Sequence, residues 1–300
     1  MRLLTTDLDN TLYDWVTYFA RSFQAMARAL SELISTPQDR LLREFKAVHQ
    51  RYGNSEQPFA MLELPSVRER FGDLPDERLL DELELPLRAF KDEREHHLRL
   101  YETVEETLRL LHSHGIVIVG HTEASPVNAY FRLKFLKIDC YFRRLYSLRS
   151  KGKLKPHPRP GAEAEFRPPD GLLHELSPAD RKPNPQLLRH ICAREGIPID
   201  SSWYVGDSLT RDISMARRAG VESVWARYGT RHDPRLWEIL VAVTHWTPED
   251  VAREEELRLR FDRIEPDHTI DRFSELAELL EIGTGDESRT PILRRAVGAV

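Results

Sequence analysis

The stretch RLLTTDLDNTLYDW (residues 2–15) places two aspartates, Asp7 and Asp9, directly after a short apolar run. We predict that Arg2 to Thr6 forms a buried strand that ends at these carboxylates. A charge beside a buried strand is costly unless it meets a partner. In open parallel sheets, ligands bind at the carboxyl ends of the strands. The stretch therefore predicts a binding or reaction site at the end of the first strand.

The composition is typical of a globular protein in a reducing compartment. Of its 300 residues, 40% are hydrophobic, the formal net charge is −5, and two are cysteines. This charge gives no reason to expect a nucleic-acid partner, and few cysteines argue against a disulfide scaffold. No apolar run approaches the roughly 20 residues of a membrane span. We expect a cytoplasmic protein with one larger and one smaller domain, without a membrane association.

The pattern of apolar residues divides the chain. Residues 15–99 carry helical spacing without a convincing strand, as at Phe19, Phe23 and Leu30. From about residue 100, short β-branched or apolar runs alternate with amphipathic helices. Such an alternation predicts right-handed βαβ units. The expected fold class is α/β, a doubly wound parallel sheet of Rossmann-like form with a smaller all-helical cap domain.

These patterns set the expected domain boundaries. Residues 1–14 and 100–282 form the core, residues 15–99 form the cap, and residues 283–300 form a loose tail. Two stretches interrupt the core. Residues 150–180 are rich in proline and glycine and are expected to be irregular, and residues 231–263 predict a second, partly helical insertion.

Charged and hydroxyl side chains follow several of the predicted strands. Thr122 and Glu123 follow the run Ile116 to Val119, Asp207 follows Trp203 to Val205, and Asp212 lies five residues beyond Asp207. Asp7, Asp207 and Asp212 would repel one another at close range unless a cation lay between them. Hard oxygen ligands and a phosphate partner favour Mg²⁺.

The residue types suit phosphoryl transfer. The Asp7 carboxylate could act as a nucleophile and carry an aspartyl-phosphate, while Asp9 could protonate the leaving oxygen and later deprotonate water. Lys182 and the Thr122 hydroxyl would hold the phosphoryl oxygens. Lys151, Lys153 and Lys155 compete with Lys182, which is preferred because Pro183 and Pro185 fix a turn into a helix.

The four motifs together resemble the haloacid dehalogenase (HAD) superfamily. Its first motif, DxDxT, fits Asp7 to Thr11, and its second, a Ser or Thr ending a strand, fits Thr122. Its third, a Lys often found in KPxP, fits Lys182 to Pro185, and its fourth, GDxxxxD, fits Gly206 to Asp212. The resemblance covers residues 1 to about 15 and 100 to 230.

The resemblance implies roles for these residues. Asp7 is the nucleophile and Asp9 the general acid and base. Mg²⁺ is held by the Asp7 carboxylate, the Asp9 carbonyl and Asp207, with Asp212 nearby. The helical insert after the first motif corresponds to a type 1 (C1) cap, which closes over the site. Dehalogenating members lack the second aspartate, so its presence favours a phosphatase acting on a small phosphorylated metabolite.

Some alternatives stay open at this point. Asp212 could instead be a carboxylate that simply stabilises a helix N-terminus. Glu123, a candidate substrate-binding residue beside Thr122, stands where the superfamily often has Asn. A phosphomutase of the same fold and a non-catalytic phosphate-binding relative are alternative functions. Arg51, in the cap, is a candidate to bind a second anionic group of the substrate. The sequence does not indicate the physiological substrate or the oligomeric state.

Overall fold

A parallel sheet forms the centre of the molecule. The computed structural model describes residues 1–56, 58–149, 168–261 and 263–282. The strands in these ranges are β1 (Leu3–Thr6), β2 (Val117–Thr122), β3 (Arg144–Leu148), β4 (Leu173–Leu176), β5 (Ser202–Gly206), β6 (Glu222–Ala226) and β7 (His268–Ile270). They lie in the order β4-β3-β2-β1-β5-β6-β7, with every neighbouring pair parallel. The predicted α/β fold class is confirmed.

The strand order reverses at β1. From β1 the chain builds outward through β2, β3 and β4, and it then returns to place β5, β6 and β7 on the other side. The carboxyl ends of β1 and β5 therefore lie side by side. A crevice at such a reversal is where open parallel sheets bind ligands. Asp7 follows β1 and Asp207 follows β5, so the topology brings both aspartates to this crevice.

Helices cover both faces of the sheet and form the cap. The helices of the described ranges are α1 (Trp15–Ile34), α2 (Gln38–Tyr52), α3 (Pro65–Phe71), α4 (Asp76–Glu82), α5 (Glu84–His97), α6 (Val104–Ser113), α7 (Pro126–Phe135), α8 (Pro185–Glu195), α9 (Ser214–Ala219), α10 (Pro234–Val243), α11 (Pro248–Arg260) and α12 (Glu275–Leu279). Successive strand residues face opposite sides. Leu3 packs in a cluster with residues of α8 and α9, and Leu4 packs in one with residues of α6 and α7.

The cap is built around α1. Asp14 caps the helix by accepting a hydrogen bond from the Thr17 N–H at 2.9 Å. α1 packs along α5 and also contacts α2. Its buried face includes Phe19 and Phe23, whose apolar spacing follows the helical period. Tyr13 and Leu100, which precede α1 and follow α5, form an isolated antiparallel bridge.

The insertion at residues 231–263 forms α10 and α11, in agreement with its predicted helical character. α10 packs on the cap helices α1 and α2, with Leu236, Leu240 and Val243 buried. α11 contacts the turn Leu209–Ile213, beside β5. This segment belongs to the core domain by its place in the sequence, yet α10 packs on the cap. It thus connects the cap to the loops at the sheet edge.

The structure corrects one expectation and leaves others outside its range. The prediction of an irregular stretch through residue 180 is wrong at Leu173–Leu176, which pairs with β3 as strand β4. The strand β7 had no counterpart in the sequence prediction, because three residues give too short a pattern. The lysine-rich segment 151–159 and the tail 283–300 lie outside the described residues. In the described ranges, no helix combines the length and hydrophobicity that a membrane span requires.

Candidate active site

Three carboxylates and one lysine meet at the crevice between β1 and β5. One carboxylate oxygen from each of Asp7, Asp207 and Asp212 lies within 4.8 Å of those of the other two. The Lys182 Nζ donates hydrogen bonds to Asp7 Oδ1 at 2.5 Å and to Asp212 Oδ1 at 2.8 Å. The Lys182 side chain is only 4% exposed. The structure therefore brings four of the predicted site residues into one buried cluster.

Burial and mutual repulsion control the protonation of this cluster. Burial raises the pKa of Asp7, and the charges of Asp212 and Asp9 add to this effect, while Lys182 opposes it. Burial likewise raises the pKa of Asp207 well above its ordinary value, with Asp212 and Asp7 adding to it. For Lys182, burial lowers the pKa, but Asp212 and Asp7 outweigh it and raise the pKa well above its usual range. The lysine is therefore a permanent cation in this setting.

A π-helical turn aims Asp212 at the cluster. The turn spans Leu209–Ile213, and Asp212 Oδ2 accepts a hydrogen bond from the Ser208 N–H at 3.1 Å. Tyr204 donates its hydroxyl to Asp212 Oδ1 at 3.1 Å. A Cβ added to Gly206 would lie 2.4 Å from Asp212 Oδ2. The strand thus needs glycine at Gly206, because the carboxylate folds back over the strand end.

Asp9 turns away from the carboxylate cluster and faces the cap. Its Oδ1 accepts hydrogen bonds from the Tyr13 hydroxyl at 2.7 Å and from an Arg132 guanidinium nitrogen at 2.5 Å. The second terminal nitrogen of Arg132 donates to Glu56, which belongs to the cap. Asn10, with φ of 57°, makes the turn after Asp9 and accepts from the Trp15 N–H at 3.2 Å. The Asp9 carboxylate is therefore held between the core and the cap.

Thr122 and Glu123 lie at the end of β2 with different surroundings. Thr122 is buried, and its Oγ1 accepts a hydrogen bond from the Ala124 N–H at 3.0 Å. Glu123 Oε1 accepts from the Lys182 backbone N–H at 3.0 Å, and its Oε2 accepts from Arg211 at 3.0 Å. The Glu123 carboxylate is thus neutralised by Arg211, and it also holds the backbone N–H of Lys182 in place.

Helix α11 braces the loops of the site with ion pairs. Asp250 contacts Arg181 at 3.2 Å, and Glu254 contacts the Arg211 Nε at 3.0 Å. Arg253 donates to the Lys182 backbone carbonyl at 3.0 Å. The helix thus contacts the side chain of the residue before Lys182 and the backbone carbonyl of Lys182 itself. The insertion therefore supports the loop that carries Lys182.

A cavity of about 70 Å³ lies between the cap and α7, on the Asp9 side of the site. Its walls are largely aromatic and aliphatic, and Phe19, Phe90 and Phe131 are among them. Its polar lining residues include Arg94 and Arg132. The shared residue Arg132 links this cavity to Asp9.

Arg51 and Trp15 lie away from the carboxylate cluster. Arg51 is 61% exposed, contacts Glu63 at 3.2 Å, and does not line the cavity among the residues described. Trp15 donates its indole N–H to Glu56 Oε1 at 2.5 Å. The structure gives it a role in fixing Glu56 at the boundary between cap and core.

Sequence reasoning missed Arg132 and Tyr204, which contact Asp9 and Asp212. Arg132 lies on α7 between Ala129 and Leu133 in helical spacing, and all three are buried. An arginine on the apolar face of a helix was the signal that could have found it, because a buried cation needs partners. Tyr204 lies inside β5 among apolar residues, and no motif distinguishes it from a core tyrosine.

Comparisons with known proteins identify the family. Residues 1–165 match the haloacid dehalogenase-like hydrolase family, and residues 180–276 match the HAD-hydrolase-like family. The chain is 25% identical over 231 residues to the glyceraldehyde 3-phosphate phosphatase of Methanopyrus kandleri, covering 76% of this chain and 84% of that protein. It is 27% identical over 231 residues to the phosphoglycolate phosphatase of Pseudomonas fluorescens, covering 77% and 71%.

Solved structures show the same fold. The 2-haloacid dehalogenase of Pseudomonas syringae pv. Tomato has a TM-score of 0.54 and 16% identity, covering 94% of this chain and 98% of that one. The HAD phosphatase of Thermococcus onnurineus has a TM-score of 0.51 and 17% identity, covering 93% and 98%. These similarities confirm the predicted α/β fold class. From its first motif to the GDxxxxD turn, the chain belongs to the haloacid dehalogenase-like hydrolase family.

Proposed function

We propose that this protein is a Mg²⁺-dependent phosphatase that hydrolyses a small phosphorylated metabolite through an aspartyl-phosphate on Asp7. The observation that carries the proposal is the cluster of Asp7, Asp207 and Asp212 around Lys182, with Asp9 held on the opposite side of the β1 loop. The phosphatase relatives support the choice of phosphate esters as substrates.

The residues of the cluster fit a divalent cation. When all are ionised, three carboxylates and one lysine leave two negative charges uncompensated, and burial raises the pKa of Asp7 and Asp207. Oxygen ligands of this kind are those that Mg²⁺ prefers. Asp7, Asp207 and Asp212 would hold the ion, with the Asp9 carbonyl as a further ligand. When bound, it would neutralise charge on the phosphoryl oxygens.

The first step transfers the phosphoryl group to the enzyme. An oxygen of the Asp7 carboxylate attacks phosphorus, the new oxygen–phosphorus bond forms, and the bond to the alcohol oxygen of the ester breaks. Asp9 donates a proton to that oxygen, so that a neutral alcohol leaves. Lys182 stabilises the negative charge of the transferring group. The Thr122 hydroxyl, which lies at the adjacent strand end, would donate to a phosphoryl oxygen.

The second step releases inorganic phosphate. Asp9 accepts a proton from water, the water oxygen attacks phosphorus, and the bond to the Asp7 oxygen breaks. Arg132 and Tyr13 both contact Asp9 Oδ1, which fixes the orientation of the carboxylate for both proton transfers. The cap encloses this side of the site, and its role would be to limit the access of water during the first step.

The proposal is tested by phosphate release from a set of esters. The set contains phosphoglycolate, glyceraldehyde 3-phosphate and p-nitrophenyl phosphate, each assayed with Mg²⁺ and with a chelator. We expect release that requires Mg²⁺ and that falls by about 10⁴-fold or more in Asp7→Asn, because nucleophile substitutions cost on this order. Asp73→Asn, an exposed cap position, is the matched control.

The result that would overturn the proposal is the absence of release from every ester by protein whose fold is verified by circular dichroism. Retention of activity in Asp7→Asn would overturn the assignment of the nucleophile. Conversion of a sugar phosphate to its positional isomer without phosphate release would point to the phosphomutase alternative.

A further inference from the structure

Arg94 lines the cap cavity and, in the described part of the chain, has no carboxylate in hydrogen-bonding contact, although the charges of Glu56 and Glu95 act on it. It lies on α5, its Nε is buried, and among the described residues nothing accepts a hydrogen bond from that atom. The guanidinium lies over the Phe131 ring, 4.3 Å from the centroid. A buried guanidinium nitrogen without an acceptor costs free energy. Such a group is therefore placed to receive an acceptor from a ligand.

The neighbouring Arg132 differs because both ends of its guanidinium are engaged. It donates to Asp9 in the core and to Glu56 in the cap. Glu56 is the one carboxylate among the described residues that line the cavity, and it also accepts from Trp15. The two carboxylates Asp9 and Glu56 balance the two arginines, and the charges of Glu56 and Glu95 favour the cationic form of Arg94. What Arg94 lacks, among the described residues, is a hydrogen-bond acceptor for its Nε.

The remaining polar lining groups do not change this balance. His49 Nδ1 donates to the Val243 carbonyl at 2.6 Å, and burial lowers the pKa of His49 to about 4, so the ring is neutral. Asn128 donates to the Glu56 carbonyl at 3.3 Å. The other walls are mainly aromatic and aliphatic side chains. The cavity thus combines apolar walls with two guanidinium groups: that of Arg132 is hydrogen-bonded, and the Nε of Arg94 lacks an acceptor among the described residues.

We propose that Arg94 binds a carboxylate at the non-phosphate end of the substrate. The inference rests on the proposed phosphatase function and narrows it to phosphate esters of hydroxycarboxylic acids. A carboxylate carries one negative charge and accepts two hydrogen bonds from a guanidinium. A second phosphate, with a larger charge, would call for more donors than one arginine supplies. The role first considered for Arg51 thus passes to Arg94.

The position of the cavity agrees with this assignment. In the proposed mechanism Asp9 protonates the leaving oxygen, so the alcohol part of the ester lies on the Asp9 side. Arg132 touches Asp9 and lines the cavity, so that the alcohol part extends towards Arg94. Phosphoglycolate, the substrate named for one set of relatives, carries a carboxylate, and glyceraldehyde 3-phosphate does not.

The experiment compares two matched series of esters. One series has a phosphate ester and a terminal carboxylate separated by one to four carbons. The other carries a hydroxymethyl group in place of the carboxylate. We expect kcat/KM to favour the carboxylate by about 10–100-fold at the length that fits, which is the range for a hydrogen bond to a charged group. The assay uses the full chain with Mg²⁺.

Variants then assign the preference to one side chain. Arg94→Met is expected to reduce the carboxylate-to-hydroxymethyl ratio to near one, and Arg94→Lys to retain part of it, because the charge remains but the planar fork is lost. Arg88→Met is the matched control, since Arg88 lies on the same helix and its ion pair with Glu84 is exposed. This control is expected to keep the wild-type ratio.

The outcomes separate this inference from the proposed function. If the wild-type protein hydrolyses esters of both series without favouring the carboxylate, the role of Arg94 is refuted and the phosphatase assignment stands. If Arg94→Met keeps the wild-type carboxylate-to-hydroxymethyl ratio of kcat/KM, the role of Arg94 is refuted as well. If no ester is hydrolysed, the proposed function itself fails. If Arg94→Met does not fold, the carboxylate-to-hydroxymethyl ratio of the wild-type protein still tests whether the cavity prefers a carboxylate.

Discussion

At the sheet edge, Lys182 touches two of three clustered carboxylates, whereas in the cap cavity Arg94 stands over an aromatic ring without a described carboxylate in contact. The first region has more negative than positive charges, whereas in the second the charges balance but one guanidinium nitrogen lacks a hydrogen-bond acceptor among the described residues. This difference separates the two tasks of the site. Under the proposed function, the core would supply fixed groups for the reaction, and the cap would supply an unsatisfied donor that selects the substrate.

The two regions also differ in how the sequence encodes them. Asp7 and Asp207 each follow a strand within a short motif, so neighbouring residues define their position. The cavity takes Glu56, Arg94 and Arg132 from three distant parts of the chain. A charged helical residue without a motif is usually solvated, so sequence alone could not distinguish Arg94 from the exposed Arg88. If the cavity selects the substrate as proposed, that selection would depend on how the cap packs against the core.

The junction between the two regions is Arg132, and its loss should have the largest effect on stability. Arg132→Met leaves Asp9 and Glu56 partly buried without their counter-charge. We expect the free energy of unfolding to fall by about 3–5 kcal/mol, as when one partner of a buried ion pair is removed. Urea denaturation at constant pH measures the change.

The matched control is Arg149→Met, because Arg149 contacts Glu175 at 3.0 Å on the surface, with 68% of its side chain exposed. In Arg149→Met the free energy of unfolding should fall by no more than about 1 kcal/mol. Equal losses in the two variants would show that the Arg132 contacts do not join core and cap.

The next largest effect is expected on the catalytic rate, when Lys182 in the core is replaced. Lys182→Met removes the cation that contacts Asp7 and Asp212. We expect kcat/KM for p-nitrophenyl phosphate to fall by about 10²–10³-fold, the range for the loss of one group that stabilises developing charge. Lys91→Met, at an exposed lysine paired with Glu95 in the cap, is the control and should retain the wild-type rate. An unchanged rate in Lys182→Met would exclude a catalytic role for the lysine.

The smallest effect is expected on the cap side, at His49. Burial lowers the pKa of His49 from 6.5 to about 4, against the hydrogen bond to Val243, and His245 contributes to the lowering. Because the unfolded chain binds the proton more readily, this contribution to stability is complete above about pH 6.5 and is lost as the pH falls towards 4. The loss between roughly pH 7 and pH 4.5 should reach about 2–3 kcal/mol.

Urea denaturation of wild type and His49→Gln at several pH values isolates this contribution, since all other titrating groups are shared. The difference in unfolding free energy between the two proteins should shrink as the pH falls. His190→Gln, an exposed position on α8, should parallel the wild type. A difference that does not vary with pH would mean that His49 is not buried as a neutral ring.

The sequence predicted the strands and their carboxyl ends because each is indicated by a short local pattern, an apolar run followed by polar residues. The runs at Ile116 to Val119 and Trp203 to Val205 largely proved to be strands. Asp207, after the second run, meets Asp7 at the crevice, and Glu123, after the first, accepts a hydrogen bond from the Lys182 backbone N–H. The packing of α10 on the cap could not be foreseen, because it depends on contacts such as that of Val243 with His49, far apart in the chain. The pairing of Arg132 with Asp9 could not be foreseen either, because these residues are also far apart in the chain.

Trapping of a phosphoenzyme tests the central claim, that Asp7 carries the phosphoryl group, most directly. The protein is mixed with radiolabelled p-nitrophenyl phosphate and Mg²⁺, quenched in acid and digested, and the labelled peptide is sequenced by mass spectrometry. We predict label on the peptide containing Asp7, its release by hydroxylamine, and no label in Asp7→Asn. Phosphate release at the full rate without label on Asp7, or label in Asp7→Asn, would contradict the account.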